Sequence, residues 1–124
     1  MQQLWQAGGA PMVAIALFGM ASLIVGAVFA LRPVLRLLPV LKALSLSVLF
    51  SIGAGTMADL AAVGTKIPAH PEWLQSTELP LLVLQGIAES MAPGILGFSL
   101  LSLTALECAI GLWRADRTSL PRLP

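Results

Sequence analysis

From Pro11 to Leu31 the chain runs without a charged residue. A helix of about 20 apolar residues crosses a hydrocarbon core about 30 Å thick, so this run reads as a membrane span. The rest of the chain agrees. Only 10% of its 124 residues are charged, 57% are apolar, and the mean hydropathy is +0.90. Soluble domains carry about 25% charged residues, so the polar surface of a water-soluble globule is missing. The length allows a single domain. The net charge of +1 says nothing about nucleic acid and no basic run suggests it, so it is not expected as a partner.

Two further apolar stretches follow, and together the three predict an all-α integral membrane protein. The spans are expected at about 11–31, 41–63 and 82–113, joined by connectors 32–40 and 64–81 and followed by a tail, 114–124. Pro11 suits a first helical turn, where its missing N–H costs nothing. Pro39 marks a break before the second span, and Gly64 suits its end. The third span exceeds 30 residues, about 50 Å as continuous helix, and Pro93 is the expected point of a kink. Cleavage of the first span as a signal peptide after Val28-Phe29-Ala30 is disfavoured, because no basic residue precedes a run too long for such a segment. In the second connector, Pro71-Glu72-Trp73-Leu74 predicts a short interfacial turn of helix, with His70 a solvated loop residue.

Charge asymmetry orients the spans. Arg32, Arg36 and Lys42 lie near the first connector and Arg114, Arg117 and Arg122 in the tail, whereas the other side holds only Lys66. Cytoplasmic loops concentrate Lys and Arg, so the expected topology is N-terminus outside and C-terminus cytoplasmic. Trp5 and Trp73 then fall at the outer boundary and Trp113 at the inner one, as an aromatic belt would.

Three acids interrupt the apolar runs: Asp59, Glu89 and Glu107. A carboxylate at the bilayer centre costs about 2.5–3.5 kcal/mol on insertion scales, so such groups face protein or a water-filled path. Asp59 lies about a turn from the outer end of the second span, and Glu89 about two turns into the third from the same side. The two are expected at similar depth, able to share a proton or a cation. Ser47, Ser51, Gly55 and Asp59 recur every four residues and form a small, polar face suited to helix packing or pore lining. Glu107, near the cytoplasmic end, is expected to pair with Arg36 or Lys42. The single cysteine, Cys108, reads as a small buried hydrophobe.

Several short motifs resemble the MotA/TolQ/ExbB proton-channel family. They are Gly8-Gly9-Ala10-Pro11-Met12 at the first span, Gly55-Thr56-Met57 in the second, and Gly86-Ile87-Ala88-Glu89-Ser90-Met91-Ala92 leading the third, with Gly97-Phe98 beyond. The resemblance implies a homo-oligomer, a pentamer by analogy, in a bacterial inner membrane. Its subunits would surround a single-span ExbD/TolR-like partner and use proton flow to power another process. By position, Thr56 resembles the family's polar pore-lining residue and Glu89 its intramembrane glutamate; Asp59 would supply a further polar group. The chain departs from the family in its short first connector, in Asp59 where a glycine is usual, and in Gly94 where a threonine follows the glutamate. Those departures motivate the alternative reading, a non-conducting accessory subunit on the same three-helix scaffold.

An enzyme is not expected. The one histidine sits in a loop, the serines lack a partnered base, and there is neither a phosphate-binding Gly-rich loop nor a Cys/His cluster, so no metal or cofactor is implied.

Overall fold

The computed structural model describes residues 2–119, with side chains from Ala10 onward. Arg122 and the Trp5 side chain therefore lie outside the described residues. The described chain is helical, without strands: α1 (Gln2–Leu31), a 3-10 turn (Leu35–Leu37), α2 (Leu38–Lys66), α3 (Pro71–Leu74), α4 (Leu79–Ser90) and α5 (Ala92–Ser119). Three stretches, Ala10–Leu31, Leu35–Lys66 and Leu79–Ser119, are long and apolar enough to cross a membrane.

The element boundaries follow local chemistry, with three departures from the expected ones. Pro11 stands inside α1, not in its first turn, because α1 begins at Gln2. Pro39 starts α2 instead of preceding it, since a proline in the first turn forfeits no helical hydrogen bond. α2 also runs through Gly64 to Lys66, where the Ile67 N–H still reaches the Val63 carbonyl. The two remaining signals act as expected. Met91 separates α4 from α5 just before Pro93, whose ring cannot donate to the Glu89 carbonyl. The Met91 N–H turns back to the Ala88 carbonyl at 3.2 Å, closing α4. Pro71–Leu74 is the short helix α3.

α1 packs against both α2 and α5, and α2 against α4 and α5; two of these interfaces bear on the site. In the first, α1 and α5 run parallel, and their contacting residues advance by alternating steps of four and three. Ile15 meets Gly97, Gly19 meets Leu100, Gly26 meets Glu107, and Phe29 meets Gly111. Ser22 bonds Thr104 between them. Each bulky side chain enters the space left by a small one opposite, the knob-and-hole arrangement of a seven-residue repeat. Ile15, Ser22 and Phe29 are completely buried in this seam.

The second interface is antiparallel. Ile52 of α2 meets Gly97, Gly55 meets Pro93, and Val63 meets Gly86. Gly55 is the junction of all three long helices: a Cβ built on it would stand 3.1 Å from the Pro11 Cβ and 3.2 Å from that of Pro93. The Pro11 ring thus fills a junction that only a glycine leaves open. Val48 and Ile52 join Ile15 in the central apolar cluster, with Leu96, Leu100 and Leu101 around it.

The bundle ends differ in charge. Arg114 Nη1 donates to the Ala30 carbonyl at 2.9 Å, bringing the end of α5 beside the end of α1 and the connector carrying Arg32 and Arg36. A cation there also meets the negative end of the α1 dipole. One turn on, the Arg117 guanidinium lies 4.0 Å over the Trp113 ring. Lys66 stands at the opposite end.

Candidate functional site

α2 and α4 approach closely where Gly86 faces Val63; a Cβ on Gly86 would come within 2.7 Å of a Val63 methyl. Beside that contact lies an open space, with Trp73 of α3 on one side. The result is a cleft of about 410 Å³ between α2, α3 and α4. Its polar lining comes from Asp59 and Lys66 of α2 and from Gln85, Glu89 and Ser90 of α4.

The antiparallel register explains why the two acids meet here. Asp59 lies between Gly55 and Val63 on α2; Glu89 and Ser90 lie between Pro93 and Gly86 on the facing strand of helix. Asp59 is half-buried and Glu89 exposed, both on the one cleft. Gln85 Nε2–H donates to Glu89 Oε1 at 3.0 Å, an i,i+4 contact along α4. Buried Ser90 donates its hydroxyl proton to the Gly86 carbonyl at 2.8 Å, leaving that oxygen only an acceptor toward the cleft. No ion pair is formed among the described residues, so Lys66 shares the cleft with both carboxylates without neutralising either at contact distance.

His70 stands in the loop after α2, as expected, and is half-buried there. Its Nδ1 lies 2.9 Å from the Lys66 carbonyl, at the end of α2, and its ring stacks on Trp73 with centroids 4.1 Å apart and planes 11° from parallel. With the proton on Nδ1 it donates to an otherwise open helix-end carbonyl. This stack fixes the indole that lines the cleft.

The other singled-out residues stand elsewhere. Thr56 is half-buried but outside the cleft lining. Gly55 belongs to the buried face of α2, together with Val48 and Ile52. Ser47 and Ser51 only flank that face, and their hydroxyls bond the Ala43 and Ser47 carbonyls of their own helix at 3.0 and 2.8 Å. Their hydroxyl protons are used within their own helix, which leaves each oxygen only an acceptor toward a neighbour.

Glu107 is a clear correction. It does not pair with Arg36 or Lys42; it enters the α1–α5 seam, where its carboxyl packs against Gly26, and Oε2 is buried without a hydrogen-bond partner. The face it occupies is set by the repeat it shares with Thr104 and Gly111, which turns it toward α1 and away from the connector. Cys108, beside it, is half-buried instead of fully buried.

Sequence reasoning missed Gln85, Lys66 and Trp73 as cleft residues. For Gln85 a signal was present, its spacing of four from Glu89. It also missed the Ser22–Thr104 pair, whose oxygens lie 3.0 Å apart. Both hydroxyls also reach backbone carbonyls, of Gly19 and Leu100. Two protons serve three contacts, so one hydroxyl bonds its own helix while the other bonds across.

Comparison with family models, with curated proteins and with solved structures returned no match for this chain.

Proposed function

We propose that this chain is a proton-conducting or energy-coupling subunit of a bacterial inner-membrane complex, with its N-terminus outside and the Asp59/Glu89 cleft as the proton-accepting site. The observation that carries this reading is Glu89, exposed on the bundle yet sharing a cleft with Asp59. Glu89 lies ten residues into α4 from Leu79, about 15 Å along the axis. At that depth a carboxylate facing lipid is costly, so water or another protein surface must meet it. A neighbouring copy, in a pentamer by analogy, or a single-span ExbD/TolR-like partner supplies that surface.

The orientation rests on the charged ends. The end bearing Arg32, Arg36 and Arg114 is cytoplasmic under the positive-inside rule, and the cleft then opens near the outer face. The test is proton uptake into liposomes carrying the purified protein, with a dye inside and an imposed potential. Uptake should be abolished by Glu89→Gln and strongly reduced by Asp59→Asn, with the oligomer unchanged on native mass spectrometry. Wild-type uptake no faster than in empty vesicles would remove the conducting reading.

A specific observation favours a second reading, a non-conducting accessory subunit. Thr56 lies outside the cleft lining, and the α1–α5 seam is tightly filled along its glycines. Under that reading Glu89→Gln and Asp59→Asn are both tolerated by the assembled complex.

A further inference from the structure

The cleft is larger and more varied than a proton requires. We propose that it binds a monovalent, lipophilic organic cation, an amine or quaternary onium with an apolar body, its charge held between Asp59 and Glu89.

Size, charge and walls each narrow the class. A volume of about 410 Å³ falls in the range of small-molecule sites, roughly 300–1,000 Å³. Two carboxylates against one ammonium leave the lining with a formal charge of −1, and no ion pair discharges it. An anion is therefore repelled, and a neutral molecule gives the carboxylates nothing in exchange for lost water. A compact metal ion is a poor fit too: among the described residues no group of three or more His, Cys, Asp or Glu side chains converges. Lys66, in the same lining, disfavours a second positive charge on the ligand. What remains is one positive charge, diffuse enough to be satisfied by carboxylates that are not packed around it.

The remaining walls specify the body of that ligand. Val63, Ile67 and Leu82 are apolar, and the Trp73 indole adds a flat aromatic surface held by its stack on His70. An aromatic ring beside carboxylates is a recurring way to hold a weakly hydrated cation. Gln85 already donates to Glu89 and so keeps that carboxylate oriented in the cleft before anything binds.

This inference shares its site with the proton reading but not its test, because a chain can hold the cation without conducting protons. The probe is tetraphenylphosphonium, a permanent lipophilic cation, measured by equilibrium dialysis against the full chain in neutral detergent. Saturable binding of one probe per chain is expected. Asp59→Asn and Glu89→Gln should each weaken it about tenfold, whereas Lys66→Met should tighten it about threefold by removing the like charge. Glu107→Gln, in the other interface, should leave it unchanged. The gain in Lys66→Met guards against misfolding, which cannot tighten binding. No saturable binding below about 1 mM by wild type, equal binding by the two acid variants and wild type, or no tightening in Lys66→Met would each overturn the proposal. Binding that survives while proton uptake fails would remove the conduction reading and keep this one.

Discussion

The α1–α5 seam and the α2–α4 cleft use the same small residues for opposite ends. In the seam, Gly19, Gly26, Gly97 and Gly111 are each filled by a large side chain from the facing helix. Along the cleft Gly86 packs on Val63, and the space beside that contact stays open and charged. Where helices are apolar on every side, their specific contact relies on close packing and on hydrogen bonds. The seam has both, and it fixes the bundle. The cleft leaves its polar groups facing a space, which is what a site needs and what a packing interface avoids.

That contrast can be broken by adding the same bulk on each side. Gly111→Leu sets a side chain against the Phe29 ring and, at 3.0 Å from the new Cβ, the Phe29 carbonyl oxygen, which belongs to the backbone and cannot step aside. A loss of about 3 kcal/mol is expected, the upper part of the overpacking range. Ala62→Leu, on the cleft lining, should change stability by less than about 0.5 kcal/mol. Reversible unfolding in mixed detergent micelles measures both; equal losses would show that the cleft is packed like the seam.

A gain should come next in size. Glu107 leaves a buried carboxyl oxygen unsatisfied inside the seam, at a cost of about 1–3 kcal/mol. Glu107→Met keeps the length and removes the polar atom, so it should stabilise the bundle by about that amount in the same unfolding assay. Destabilisation instead would mean that the carboxyl has a partner within the seam.

The smallest effect concerns the buried hydroxyl pair. Ser22→Ala, Thr104→Val and the double variant form a cycle whose coupling term should be about 0.6 kcal/mol, the usual value between membrane helices. A coupling near zero would reduce the Ser22–Thr104 contact to two separate bonds within helices.

How much of this was legible beforehand differs between the two regions. The three long helices were visible because apolar runs of membrane length with so few charges are rare, and the break before Pro93 because a proline cannot donate to the preceding turn. α3 was visible in Pro71-Glu72-Trp73-Leu74 for the same kind of reason. The acid positions in the cleft were also readable, since Asp59 and Glu89 count similar distances from one end of their helices. The seam was not. Apolar residues surround a membrane helix on every side, so polarity does not mark the inward face, and the small-large alternation of Gly19, Ser22 and Gly26 against Leu100, Thr104 and Glu107 becomes a signal only once α1 is known to lie on α5. Glu107 was misplaced for that reason: charge alone points it to Arg36, and packing points it to Gly26. The anchoring of His70 was not legible because its partner is a backbone carbonyl, which leaves no trace in residue identity.

The central claim, an open polar cleft beside a closed seam, is tested most directly by thiol accessibility in a background where Cys108 is replaced by alanine. Ala62→Cys lies on the cleft and Ser22→Cys in the seam. A small, water-soluble thiosulfonate added to the purified protein in neutral detergent should modify Cys at position 62 within minutes, and addition of tetraphenylphosphonium should slow that reaction, while position 22 stays unmodified until the protein is unfolded. Equal protection of both positions, or modification of position 22 first, would contradict the account.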